Sequence, residues 1–276
     1  MSANSDVAAR AVSVNELNQE IMEQSPSYGP VVPEPVHVPA WTQLDGDLHL
    51  QTLRQDYAPV GLLEMIPSAG RTLDVGCFCG GTGRWLKQKF PLCDLTGIEM
   101  LEKAAEIAKP AYDRIIVGRF ETIDLGESGM TPRSFDTIIT ADFLEHLVNP
   151  WKALQRLKPL LRSDGALYVS IPNVRNLNLL ANLAKGSWPY EGAGIQDVTH
   201  LRFFTRSSLV QMLMETGWSV DEIRVNPDPR LLPVFKGQDL STITTINIGS
   251  MSLTELTRDD VHELLALQFF VRARPA

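Results

Sequence analysis

The residues most able to do chemistry begin with Leu73-Asp74-Val75-Gly76-Cys77-Phe78-Cys79-Gly80-Gly81-Thr82-Gly83. An apolar run containing an acid passes into glycines and then into a helical pattern carrying Trp85, Leu86 and Phe90. Glycines permit a tight turn and let a ligand approach the backbone, while the helix that follows offers free amide donors. Such a loop is a weak signal alone. It gains force from Glu99, which closes the next strand-like run, because a carboxylate there can accept hydrogen bonds from both hydroxyls of a ribose. Farther along, Asp142, Glu145 and His146 stand close together, and Asp197 and His200 follow in a stretch rich in polar and aromatic residues. With near-neutral imidazoles, His146 or His200 could take a proton from an acceptor, and Asp142 could orient one.

These groups need a scaffold, and the pattern from Tyr57 onward supplies one. Arg71–Val75, Asp94–Glu99, Ile115–Gly118, Phe135–Thr140 and Ala166–Ile171 read as short strands of β-branched and apolar residues. Helical patterns separate them. One is expected from Asn149 to Leu161, with Asn149 as N-cap, Pro150 at the first position and Trp151, Leu154, Leu157 and Leu161 on one face. Another begins near Thr205, buries Leu209, Met212, Leu213 and Thr216, and stops at Gly217 before the strand-like Trp218–Val225. Gln268–Arg274 supplies a last strand. Strands alternating with helices imply a largely parallel sheet covered on both faces, an α/β fold.

A glycine loop and a ribose-binding acid suit either a nicotinamide or flavin dinucleotide or S-adenosylmethionine. Asp74 argues for the second, since it would repel a pyrophosphate and suits the ammonium of a methionine moiety. Here the sequence resembles the class I S-adenosylmethionine-dependent methyltransferases, over about residues 57–225. The resemblance implies a Rossmann-like, seven-stranded, mostly parallel sheet of order 3-2-1-4-5-7-6 with an antiparallel seventh strand. It also implies a cofactor site built from Asp74, Gly76, Cys77, Phe78, Gly80, Glu99, Met100, Phe120 and Asp142. Glu99 matches the ribose-binding acid, Gly118-Arg119-Phe120-Glu121 falls where adenine is held, and Phe135–Asp142 matches the fourth strand and the residue facing the cofactor. Asp142-Phe143-Leu144-Glu145-His146-Leu147 looks like an element of the ubiquinone-biosynthesis-like branch, and Asp164-Gly165 resembles the turn before the fifth strand.

Two positions depart from the family pattern. Phe78 replaces the middle glycine, and Arg119 stands where an acid often accepts from the adenine amine, which a guanidinium cannot do. They keep open a reading as a degenerate binding module. The segment 173–205 is long enough to form an acceptor pocket. Its Asp197-Val198-Thr199-His200-Leu201-Arg202-Phe203-Phe204-Thr205 string resembles a bacterial branch associated with saccharide modification; alternatively, Asp197 and His200 simply tie down a loop. O-methylation of a hydroxyl on a small molecule or saccharide, with Asp142, His146 and His200 as catalytic residues, is the leading expectation. N- or carboxylate-methylation is the alternative. The spacing of Asp142, Glu145, His146 and His200 also resembles the divalent-metal ligands of small-RNA 2′-O-methyltransferases, a less favoured reading.

The chain has 276 residues, 44% of them hydrophobic and 21% charged, a soluble globular composition. Its 25 basic and 33 acidic residues give a net charge of −8, which disfavours a nucleic-acid partner. Three cysteines, two of them one residue apart, suggest reduced thiols and a cytoplasmic protein. No signal sequence and no membrane-length apolar run are visible. Residues 1–40 read as an N-terminal arm, with a weak helix over Val12–Gln24 and a strap carrying Pro26, Pro30, Pro33, Pro35 and Pro39, able to serve a homodimer contact. The domain is expected to start near Trp41.

Overall fold

Val75 follows Asp74, which follows Leu73, and all are buried although adjacent residues of a strand point to opposite faces. A strand buried on both sides belongs in the middle of a covered sheet. That is where the computed structural model, which describes residues 57–249 and 251–276, places β1 (Arg71–Val75). It runs parallel to β2 (Asp94–Glu99) on one side and β4 (Phe135–Ala141) on the other. Beyond β2 lies β3 (Arg114–Val117), and beyond β4 lies β5 (Leu161–Pro172), both parallel to their neighbours. The last strand, β9 (Ala266–Pro275), inserts antiparallel between β5 and β6 (Trp218–Pro227). The order β3-β2-β1-β4-β5-β9-β6 is the expected arrangement, with β9 in the place of the seventh strand.

Period-two alternation sorts the strands' side chains into two cores. Leu73, Val75, Ile138, Leu167, Val169, Phe269 and Val271 join one cluster, which the helices α4 (Pro150–Leu157) and α6 (Arg206–Glu215) complete. Ile139, Ala166, Tyr168 and Phe270 join the other, with α1 (Val60–Leu63), α2 (Gly81–Lys89) and Tyr112. The helix α3 (Glu102–Ala108) links β2 to β3 and also contributes to that face.

The helix starts follow the sequence. Asn149 accepts from the Lys152 amide, and Thr205 forms a reciprocal cap with Ser208. Two expectations are corrected. Helix α4 stops at Leu157 and tightens into a 3-10 turn over Lys158–Leu160, because Pro159 has no amide to continue the ladder, so Leu161 belongs to β5. Asp164-Gly165 is not a turn before the fifth strand but lies inside it, beside a register shift opposite Phe135 and Thr137.

A third apolar cluster was not anticipated. Residues 228–265, inserted between β6 and β9, form α7 (Leu232–Phe235), a hairpin of β7 (Ile246–Ile248) and β8 (Met251–Leu253), and α8 (Arg258–Leu265). Together with α5 (Leu177–Ala184) they bury Leu177, Leu231, Ile248, Val261 and Leu264. Asp228 anchors this cap: fully buried, it accepts from Arg230, Asn176 and Asn178. The helix expected over Val12–Gln24, the proline strap and the boundary near Trp41 lie outside the described residues. Among the described residues, no helix is long and apolar enough to cross a membrane.

Candidate functional site

The carboxyl ends of β1, β2 and β4 converge on the glycine turn. Gly76, Phe78 and Gly80 take φ values of 77°, 43° and 84°, an alternation that bends the chain sharply from β1 into α2. A Cβ on Gly76 would lie 2.7 Å from the ring of Phe143, so the turn has no room for a side chain there. Phe78 holds a left-handed conformation without being glycine, at a cost of about 1 kcal/mol. What holds it is Glu99: the Phe78 amide donates to Oε2 at 2.9 Å, and the Leu101 amide donates to Oε1 at 2.8 Å.

Glu99 is thus fixed at the tip of β2 with further lone pairs on both oxygens. Burial raises its pKa, and the surrounding amides pull it back. Met100 follows it and is half-exposed. Asp74 has a different setting. It is buried on the α2 face of the sheet, its Oδ2 accepts from the Tyr112 hydroxyl at 2.5 Å, and burial raises its pKa to about 7. Near neutrality it therefore carries only part of the charge that the sequence attributes to it. Phe120 lies in the main core, edge-to-face with Phe143 and beneath the Arg156 guanidinium, while the Arg119 side chain is exposed beside Glu121. Cys77, Cys79 and Cys93 are free thiols buried as packing groups, with burial raising their pKa values.

Asp142 follows β4 with φ 48°. Its Oδ1 accepts from Ser170 Oγ at 2.5 Å and Gln268 Nε2 at 2.8 Å, and its Oδ2 accepts from the Tyr57 hydroxyl at 3.0 Å. Asn226 donates in turn to Gln268 Oε1 at 2.7 Å. The end of β4, the strands β5 and β9, and Tyr57, which precedes α1, therefore meet at one carboxylate, and β6 supports it through Gln268. Sequence reasoning missed Tyr57, Ser170, Asn226 and Gln268. The available signal was a polar residue inside an otherwise apolar strand, as at Ser170 and Gln268.

Next to it, Leu144–His146 form a 3-10 turn that carries a buried acid and a histidine. The segment from Ile195 to Phe204 folds over this turn: the amides of Leu201 and Arg202 both donate to the Glu145 carbonyl, and the Arg202 guanidinium donates to the Leu201 and Val148 carbonyls. This brings His200 to His146, ring centroids 4.7 Å apart. His200 Nε2 lies 4.0 Å from Glu145 Oε1, and its Nδ1 faces the Ile195 carbonyl at 3.2 Å. His146 Nδ1 lies 3.0 Å from Thr199 Oγ1. Both carboxylate oxygens of Glu145 are buried without a hydrogen-bond partner. Burial and the nearby Asp142 charge raise its pKa well above the ordinary carboxylate range.

The structure therefore brings together His146 and His200, distant in sequence, and adds Glu145 to them. Ligand atoms of these three lie within 4.8 Å of one another, and Asp142, the fourth residue of the metal-like spacing, is not in that group. The set can accept protons or hold a small cation. The glycine turn and the half-satisfied Glu99 carboxylate fit an adenosyl group, as the donors and acceptors of a ribose require.

A methyltransferase-domain family model matches residues 49–223. A ubiquinone biosynthesis O-methyltransferase of Haemophilus ducreyi is 30% identical over 112 residues, 37% of this chain and 45% of that protein. The chain thus spans less than half the length of that relative. A mitochondrial ubiquinone biosynthesis O-methyltransferase of Schizosaccharomyces pombe is 26% identical over 193 residues, 67% of this chain and 69% of that one. Among solved structures, an S-adenosylmethionine-dependent methyltransferase from Mesorhizobium loti matches with a TM-score of 0.52 and 15% identity, covering 80% of this chain and 100% of the other. At that identity the likeness speaks for the fold alone.

Proposed function

Since the chain belongs to the class I S-adenosylmethionine-dependent methyltransferases, we propose that it methylates a hydroxyl oxygen of a small acceptor, a saccharide or a phenol-like ring, with His146 as the base. The observation that carries this is the convergence of His146, His200 and Glu145 at the carboxyl end of β4. S-adenosylmethionine, when bound, supplies a methyl group made electrophilic by its sulfonium. The protein's own work is to bind, orient and deprotonate. Glu99 would accept from the ribose hydroxyls, and the turn Gly76–Gly80 would line the methionine side, with Met100 and Phe120 near the adenine. Asp142, held by donors on both oxygens, would fix the wall between cofactor and acceptor.

A hydroxyl acceptor must lose a proton, and imidazole is suited to receive it near neutral pH. A carboxylate acceptor would need no base, so the paired imidazoles favour the oxygen of a neutral diol or phenol. The relatives named for ubiquinone biosynthesis are O-methyltransferases, which supports oxygen over nitrogen.

One observation supports a second reading of the same pocket. Two buried carboxylate oxygens without a donor, beside two imidazoles, suit a hard divalent cation, which would lower a hydroxyl pKa directly. The test is calorimetric titration with S-adenosylmethionine, with and without magnesium or manganese, followed by methyl transfer to a panel of catechols, phenols and sugars. His146→Ala should abolish turnover and keep cofactor affinity. Turnover unchanged in that variant would remove the base, and activity abolished by a chelator would favour the cation.

A further inference from the structure

Which nitrogen of His146 takes the proton is decided by two residues outside the reacting set. Asp197 is buried, and its Oδ1 accepts from the Thr199 amide at 2.8 Å and from the Thr199 hydroxyl at 2.6 Å. A threonine hydroxyl has a single proton. With that proton committed to Asp197, the Thr199 oxygen can only accept from His146 Nδ1, 3.0 Å away. We infer that Asp197 and Thr199 form a positioning relay that holds His146 in its Nδ1–H tautomer and so leaves Nε2 as the ring's proton-accepting nitrogen.

The geometry repeats at His200, whose Nδ1 faces the Ile195 carbonyl, a group that can only accept. Both rings of the pair are therefore anchored through Nδ1–H to the same folded-over segment, 195–204. The segment in turn is held to the 144–146 turn by the paired amides of Leu201 and Arg202 on the Glu145 carbonyl. The Asp197-Val198-Thr199-His200 string thus acquires a physical role for each polar member. Asp197 orients a hydroxyl, Thr199 orients a neighbouring imidazole, and His200 supplies the second ring. The same arrangement serves a ring that accepts a proton and a ring that ligates a cation, since in metal sites the distal ring N–H is commonly fixed by an acceptor.

This inference deepens the assignment of His146 as base and rests on it for its functional meaning, but its test does not require the acceptor. Long-range proton–nitrogen correlation on uniformly 15N-labelled full-length protein, at a pH where the ring is neutral, reports the tautomer of each of the five histidines. His146→Gln identifies the signal. The wild type should show Nδ1 protonated and Nε2 pyridine-like. Thr199→Val removes the acceptor and should move the tautomer ratio toward Nε2–H by about tenfold, the equivalent of one lost hydrogen bond. Thr199→Ser should keep the wild-type signal. Asp197→Ala frees the hydroxyl proton to point at Nδ1 and should shift the ratio the same way as Thr199→Val.

A wild-type His146 in the Nε2–H form, or a tautomer that ignores Thr199→Val, overturns the relay. Calorimetry with S-adenosylmethionine on the same samples keeps the two questions apart. A wild type that shows the Nδ1–H form yet binds no S-adenosylmethionine supports the relay and sinks the cofactor-dependent function instead.

Discussion

Gln268, at the start of the last strand, donates to Asp142 Oδ1 at 2.8 Å although the two residues are 126 positions apart. The contact ties β9 to the end of β4 across the intervening β5, where Ser170 shares the same oxygen. Asp142 holds a left-handed backbone conformation, and its three donors are what the surrounding structure offers in return for that strain.

Gln268→Ala should therefore destabilise the protein by about 1–2 kcal/mol, since it leaves Asp142 short of a donor and Asn226 without its acceptor. Thermal melts should show a fall of roughly 2–8 °C. A double-mutant cycle with Asp142→Ala should give a coupling of about 1 kcal/mol, and strict additivity would show that the contact carries no energy.

Glu99→Ala removes the carboxylate that binds the Phe78 and Leu101 amides and that we propose accepts from the ribose hydroxyls. Affinity for S-adenosylmethionine should drop by about ten- to a hundredfold, the equivalent of one or two charge-assisted hydrogen bonds. Isothermal titration checks it. Unaltered affinity would mean that another residue holds the ribose.

Stability should carry a pH signature from Asp74. Burial raises its pKa from 3.8 to about 7, so the native state binds a proton that the unfolded chain has released. The stabilising contribution of that proton is whole below 3.8 and is lost as the pH rises through about 7. Asp74→Asn keeps an oxygen for Tyr112 and removes the titration. The variant should match or trail the wild type near pH 4 and overtake it by pH 8, by an amount on the order of a few kcal/mol. Parallel melting curves across that range would place the titration elsewhere.

Gly76→Ala combines a φ of 77° with a Cβ 2.7 Å from Phe143. It should cost about 2–3 kcal/mol in urea unfolding and weaken cofactor binding as the turn shifts. Gly186→Ala, also at positive φ but with no atom within 4 Å of the new Cβ, isolates the backbone share and should cost about 1 kcal/mol.

Much of this is legible in the amino-acid sequence. The unbroken apolar runs through Ile138–Ile139 and Tyr168–Val169 already mark strands buried on both faces, and Asn149 and Thr205 announce their helices by side-chain chemistry. Glu99 and the glycine turn were found for the same reason: local residue types determine their geometry. What escaped depends on contacts that cross the fold. Gln268 acquires meaning only when β9 inserts beside β5, and Tyr57 only when it meets Asp142. The cap escaped because its strands are three residues each, too short for a periodic signal, and its core draws on Leu177 and Leu264 from separate stretches. Asp74 was placed correctly near the end of the first strand but assigned a full charge, since burial cannot be read from one residue's identity.

The cap has one more property. It leaves the sheet at Pro227 and returns at Ala266, residues that face each other across adjacent antiparallel strands. Its ends are already held together by the sheet, so chain of almost any length can be spliced between them at little entropic cost, growing only logarithmically with loop size. The turn at Gly76 and the carboxylate of Glu99 lie on the opposite half of the sheet and share no strand pairing with that junction. The fold thus separates a module whose length can change from the half of the sheet that carries the glycine turn and Glu99, and the splice could vary without redesigning that half.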